Sequence, residues 1–162
     1  RTRRAAGAAA AEPQATSPAS SSAAEAPRQA PERSPAQSSR TVSTEDAEGA
    51  RRFVGEWRGN YICNQGPTGV TVRLDTTPNG DLSGVFEFYP LSINPQAPSG
   101  AYRIRAAYSA TNNALLLEPV SWIRRPPGFE MVGARLRAPP DARVLNGAVS
   151  ARGCSSISLS RN

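Results

Sequence analysis

The chain has 162 residues, room for one domain, and its nineteen basic residues are all arginine, set against thirteen acids for a net charge of +6. It holds no histidine and no lysine, which removes the usual general bases for a serine or cysteine nucleophile and the commonest metal ligand. It has no run of eighteen apolar residues, so nothing in it reads as a membrane-spanning helix.

Residues 1–42 consist mainly of Ala, Pro, Ser, Gln and Arg, and Val42 is the first large apolar side chain. Such a segment buries too little surface to offset its ordering entropy, so it is expected to be a disordered tether ahead of a folded domain at 43–162. Prolines 13, 18, 27, 31 and 35 also interrupt any helix its alanines could form. The stretch to Arg52 carries eight arginines against six acids, and the remainder eleven against seven. An excess of this kind raises the question of nucleic acid. The chain has no basic helix and no aromatic-interleaved basic motif, and abundant alanine without lysine reads as the codon usage of a GC-rich genome, so nucleic acid is not an expected partner. A start at Arg1 rather than Met points to a removed leader or to a piece of a longer protein.

The folded part opens with Ser43-Thr44-Glu45-Asp46, a Ser N-cap followed by acids, with Arg51 and Arg52 at the far end to suit the helix dipole. Gly49 weakens it, which limits the helix to a turn or two. From Phe53 onward the apolar period changes to two. GEWRGNYIC (55–63) sets Gly55, Trp57, Gly59, Tyr61 and Cys63 on one face, where Trp57 and Tyr61 are expected to plug a barrel floor. Asn64-Gln65-Gly66-Pro67 reads as a turn, and Gln65, if it points inward, needs a hydrogen-bond partner that a ligand could supply. VTVRLD, the hairpin turn TPNGD and LSGVFEFY follow, then a proline-rich loop at 90–100. AYRIRAAYS, the turn ATNN, LLLEP, EMVGARLRA, the turn PPDAR, VLNGAVSA and CSSISLSR complete the chain.

These are eight short strands joined mostly by hairpin-length loops, and the simplest closure is an all-β, eight-stranded antiparallel up-and-down barrel, with a two-sheet sandwich as the second choice. Arg73, Arg103, Arg105, Arg135 and Arg137 all take outward parity. They read as a solubilising exterior, or in a sharper reading as a basic band for anionic lipid or glycan.

Cys63 and Cys154, one near each end of the folded part, suggest a disulfide and an exported, periplasmic or extracellular protein; two reduced thiols in a cytosolic protein are the alternative. Closure of the barrel would bring the first strand beside the last and the two cysteines together. Their parities conflict, because Cys63 goes with Trp57 and Tyr61 while Cys154 opposes Ile157 and Leu159. A bulge at Gly153, or Cys154 placed just off the strand end, would reconcile them.

The carboxylates Glu56, Asp75, Glu87, Glu118 and Glu130 are what remains for acid–base chemistry, and Asp75 and Glu87 face outward. Two cysteines this far apart make no zinc site and no phosphate-binding loop is present, so no enzyme, metal or cofactor is expected. The most suggestive segment is WIRRPPGF (122–129), with two aromatics, two guanidiniums and a rigid Pro-Pro in eight residues. The bland alternative is an Arg packed on an aromatic ring in a loop covering one barrel end. Trp122, Arg124, Arg125 and Phe129 are the leading candidates for partner or ligand binding, with Tyr89 and Gln65 behind them.

Gly55-x-Trp57 after a short helical turn resembles the opening of lipocalins and other calycins, and Asn79-Gly80-x-Leu82-x-Gly84-x-Phe86 is similar to avidin-type hairpins. A broader series, from G-x-W-x-G-x-Y-x-C-x-Q-G through F-x-F-Y-P and W-I-x-R-P-P-G-F to a final G-C-x-x-I-x-L, resembles a small bacterial β domain of exported proteins. That domain is also found at the C-terminal ends of some caspase-like peptidases. The resemblance implies an accessory barrel and transfers no catalytic residue. The function expected is therefore a monomeric, non-enzymatic exported module that binds a protein or small ligand at one rim. Tyr-x-Cys and Ser99-Gly100-Ala101 also resemble C-type lysozyme inhibitors, which implies inhibition of a cell-wall hydrolase as an alternative. A regulatory C-terminal domain of a peptidase is the other.

Overall fold

The structure, a computed structural model, describes residues 43–161. The tether expected over 1–42 lies outside the described residues. One helix, α1 (Thr44–Arg51), precedes eight strands: β1 (Gly55–Cys63), β2 (Gly66–Thr76), β3 (Leu82–Tyr89), β4 (Gly100–Ser109), β5 (Ala114–Arg124), β6 (Gly133–Arg137), β7 (Val144–Ser150) and β8 (Ser156–Ser160). Each strand pairs antiparallel with the next, and β1 pairs with β8, so the sheet closes into an up-and-down barrel rather than a sandwich.

The alternating pattern turns Trp57, Val72, Phe86, Ile104, Leu117, Leu136, Leu145 and Ile157 inward, all but inaccessible to solvent. The barrel is filled. Phe86 stacks on Tyr102 at 4.8 Å between ring centroids and meets Tyr61 edge-on at 5.7 Å. Turn chemistry fits the loops: Gly80 (φ 85°) closes the β2–β3 hairpin, where its N–H donates to the Thr77 carbonyl at 2.9 Å.

Helix α1 caps one end. The Ser43 hydroxyl accepts from the Asp46 N–H at 3.1 Å, and the Asp46 carboxylate accepts from the Ala110 N–H at 2.7 Å in the β4–β5 turn. Gly49, which shortens the helix in propensity terms, also seats it: a Cβ there would lie 2.3 Å from the Tyr108 ring. Behind the helix, Phe53 packs against Tyr108 at 5.0 Å and Trp57 at 6.2 Å. The Trp57 indole N–H donates to the Phe53 carbonyl at 2.9 Å. Arg161 lays its guanidinium 4.5 Å from the Trp57 ring centroid and donates to the Arg52 and Val54 carbonyls, tying the end of the chain over the closed end.

The Ala110 N–H, helped by the Ser43 hydroxyl, holds the Asp46 carboxyl below the ordinary aspartate range. A depressed folded-state pKa contributes stability that is present above the unfolded value, about 3.9, and is lost as pH falls through the folded one. The melting temperature is therefore expected to hold from pH 7 to pH 5 as far as this group is concerned and to fall below about pH 4. Asp46→Asn should flatten that acid limb in a series of thermal melts; an unaltered limb would assign it to other carboxylates.

The disulfide joins Cys63 to Cys154. Cys154 lies ahead of β8, in a turn where its N–H donates to the Ala151 carbonyl and Gly153 has φ 74°; this is the off-strand placement that removes the parity conflict. Strand β5 runs longer than LLLEP, through Pro119 to Arg124, so Trp122 belongs to a strand and not to a loop. Two register shifts against β4 make this possible. Ile104 pairs with Pro119 and Arg103 with Ser121, leaving Val120 unpaired and exposed; Ile123 is left out in the same way between Trp122 and Arg124. β6 covers only Ala114 to Leu117 of β5. Proline and bulges on the remaining edge blunt it against further strand pairing.

Candidate binding site

The end opposite α1 is open. There the β1–β2 turn, the end of β3, the start of β4 and the β5–β6 and β7–β8 loops surround a cup of about 460 Å³. Its floor and walls are Tyr61, Phe88, Tyr102 and Phe129, with the Cys63–Cys154 disulfide to one side. Phe129 stacks near-parallel on Phe88 at 6.4 Å. Glu130, Arg152 and Asn64 lie on the exposed rim.

Hydrogen bonds pin the cup's surroundings in place. The Tyr102 hydroxyl donates to the Val132 carbonyl at 2.8 Å and accepts from the Val132 N–H at 3.4 Å, bridging β4 to the β5–β6 loop where the β5–β6 ladder has ended. Arg125 donates from Nε to the Phe129 carbonyl at 3.1 Å, folding that loop back over the mouth. Asn94, from the loop at 90–99, donates to the Gln65 carbonyl at 2.6 Å and the Pro67 carbonyl at 3.0 Å, which clamps the β1–β2 turn. Gly66 (φ 89°) makes that turn, and Asn64 packs over Gly153 in space that a Cβ would fill. A cup built from three aromatic side chains on strands and a fourth, Phe129, on a pinned loop is preorganised for a flat apolar group.

Polar groups converge at one side. The Gln65 side chain donates to the Tyr61 hydroxyl and to Thr68 Oγ1, each at 3.3 Å. The Tyr61 hydroxyl accepts from Gln65 and lies within reach of Thr68, whose own hydroxyl donates to the Gly66 carbonyl at 3.1 Å, and no described side chain or backbone group engages Gln65 Oε1. Burial pushes the Tyr61 phenol up to about 12 and raises Tyr102 as well, so both stay protonated across the physiological range. Among the described residues, no three His, Cys, Asp or Glu side chains converge as metal ligands would.

Of the six candidates from the sequence, Phe129 and Gln65 line the cup. Trp122 stands behind it, edge-on to Tyr102 at 5.4 Å and to Phe88 at 6.4 Å. Arg125 lies 5.8 Å from the Trp122 ring centroid, the bland arrangement for this segment. Arg124 is outside, donating to Glu87 at 3.4 Å. Tyr89 also faces outward and lies across Gly69, where a Cβ would come within 2.3 Å of its ring. Trp57 and Tyr61, read together as one floor, are divided between the two ends: Trp57 is at the capped end and Tyr61 at the mouth. Tyr102, Phe88 and Arg152 were missed as site residues. The inward parity of Phe88 and Tyr102 was visible in sequence, but which end of the barrel lacks a cap was not.

Comparison with protein-family models, with curated proteins and with solved structures returns no match.

Proposed function

We propose that the chain is a non-enzymatic binding module of an exported protein, acting as a monomer, that takes a small ligand in the cup at the open end of the barrel. The ligand has a flat apolar body for the aromatic floor and a polar end that both donates and accepts, for Gln65 Oε1 and the Tyr61 hydroxyl. The observation that carries this reading is an aromatic-lined recess of about 460 Å³ above a barrel whose interior is otherwise packed. That volume lies in the range of about 300–1,000 Å³ common to small-molecule sites. The disulfide supports an oxidising compartment, and no helix among the described residues is long and apolar enough to cross a membrane. A small-molecule cup is better supported than an inhibitory loop at Ser99-Gly100-Ala101. Gly100 and Ala101 are buried in β4, with Phe88 and Pro126 packed against Gly100, so this segment does not protrude.

The fluorescent probe 1-anilinonaphthalene-8-sulfonate, aromatic with an anionic end, is expected to bind the folded chain with one-to-one stoichiometry. Phe129→Ala should weaken it by about tenfold, equivalent to about 1.4 kcal/mol, and Arg152→Ala, which removes the cation lining the cup, by a few-fold, while Arg124→Ala leaves it unchanged. Equal affinity in all four proteins would remove the cup as the site.

A further inference from the structure

The barrel exterior is divided electrostatically. On the side of β1 to β3, the arginines share carboxylates across strands. Arg73 bonds Glu56 at 2.8 Å and Glu87 at 3.3 Å; Arg58 also pairs with Glu56, and Arg124 reaches Glu87 over the intervening β4. On the side of β4 to β6 the picture is different. Arg103, Arg105, Arg135 and Arg137 are exposed, and no described carboxylate oxygen comes within 4.0 Å of any of them. Glu118, opposite Arg105 on β5, is the one acid on this part of the outer face.

Strand register arranges these four arginines in a row. Ala107 pairs with Leu116 and Leu116 with Arg135; Ser109 pairs with Ala114 and Ala114 with Arg137. Arg135 is therefore level with Ala107 and Arg137 with Ser109. Along the strand direction the four arginines occupy successive outward levels at 103, 105, 107 and 109, two on β4 and two on β6. Adjacent levels are about 7 Å apart, and the step from β4 to β6 crosses two strand spacings, about 10 Å. The row ends in a groove of about 420 Å³ between the β4–β5 turn and β6–β7, lined by Arg135, Arg137, Asn112 and Asn146, with no carboxylate in its lining. This groove is at the capped end of the barrel, away from the cup.

We propose that this face binds a linear acidic polysaccharide, whose regularly spaced carboxylates pair with the arginine row while its hydroxyls meet the carboxamides of Asn112 and Asn146. Guanidiniums suit carboxylates through paired N–H donors, and a row of them matches a polymer better than a single anion. The surface lacks what other polyanions require. A single-stranded nucleic acid would stack its bases on aromatic side chains, and none faces outward on β4, β5 or β6 below Trp122. A membrane surface would want exposed large apolar residues among the charges; Val120 and Ile123 are exposed near Arg103 at the far end of β5, but the groove that holds Arg135 and Arg137 has none.

The test is binding of the full chain, at low ionic strength, to polygalacturonate, with neutral dextran, an oligothymidylate and phosphatidylglycerol vesicles in parallel. Polygalacturonate is expected to bind best, with affinity falling as salt is added. Arg135→Ala with Arg137→Ala should weaken it at least about tenfold with no change in thermal unfolding. Arg73→Ala with Arg124→Ala, which removes the same charge from the paired side, should have little effect. Three results would each overturn the proposal: polygalacturonate bound no better than dextran, equal loss in both double variants, or tighter binding of the oligonucleotide or the vesicles.

Discussion

Reduction of the Cys63–Cys154 disulfide is expected to lower the unfolding free energy by about 4.6 kcal/mol, the chain-entropy value for a loop of this length. The cross-link spans 91 residues, nearly the whole barrel. It also sits beside the short seam that closes the barrel. The β1–β8 ladder covers only Arg58 to Tyr61, and beyond it β1 is held by the Ser155 N–H donating to the Ile62 carbonyl at 2.9 Å and by the disulfide itself. Urea unfolding of the native chain against the Cys63→Ser, Cys154→Ser double variant measures the difference. Because both cysteines line the cup, probe affinity should fall in the same variant even at temperatures where it remains folded. An unchanged urea midpoint would mean that the strand ladder alone closes the barrel.

Trp57→Ala is expected to cost about 3–5 kcal/mol, as truncation of a fully buried aromatic does. Trp57 is 1% exposed and lies between Phe53 and the guanidinium of Arg161. Its removal leaves a large cavity at the capped end and strips Arg161 of the ring it covers. The Phe53 carbonyl loses its indole donor as well. The cup is at the other end, so in whatever fraction stays folded, probe affinity should match the native chain. Loss of stability without loss of affinity separates the two ends of the barrel; loss of both in proportion would show that they are not independent.

That division between ends is also where sequence reading ran out. Alternation along the strands, with NGD, TNN and PPD turns between them, is enough for eight antiparallel strands, because a one-sided apolar face of this period can be buried only against another sheet face or by closure. The pairing of the cysteines was legible in the same way, from their positions near the first and last strands. The polarity of the barrel was not. Trp57 and Tyr61 share a face and are four residues apart, yet four residues of strand is about 13 Å, most of the depth of so small a barrel. What assigns Trp57 to the capped end is the docking of α1 on Tyr108 through Gly49, a contact between residues 59 positions apart that no local pattern announces.

The WIRRPPGF segment shows the opposite difficulty. Its residue types are those of a binding loop, but two bulges carry β5 past Pro119 and put the first three residues, Trp122 to Arg124, into the strand. Trp122 then supports the cup from behind, Arg125 folds its loop, and Arg124 joins an ion-pair ladder, leaving Gly128 and Phe129 as the members that line the recess, with Phe129 the side chain. Arginine pairing was equally hidden. Arg73 and Arg103 have the same outward parity, and only strand register decides that one meets Glu56 and Glu87 while the other faces solvent.

The most direct measurement is amide chemical-shift mapping by NMR during titration with 1-anilinonaphthalene-8-sulfonate. A ligand cup at the open end predicts saturable shifts grouped at Cys63, Gln65, Phe88, Tyr102, Phe129, Arg152 and Cys154, with α1 and the β2–β3 turn unmoved. Shifts centred instead on the capped end, on the arginine row, or on Arg124 and the outer face of β3, would contradict it.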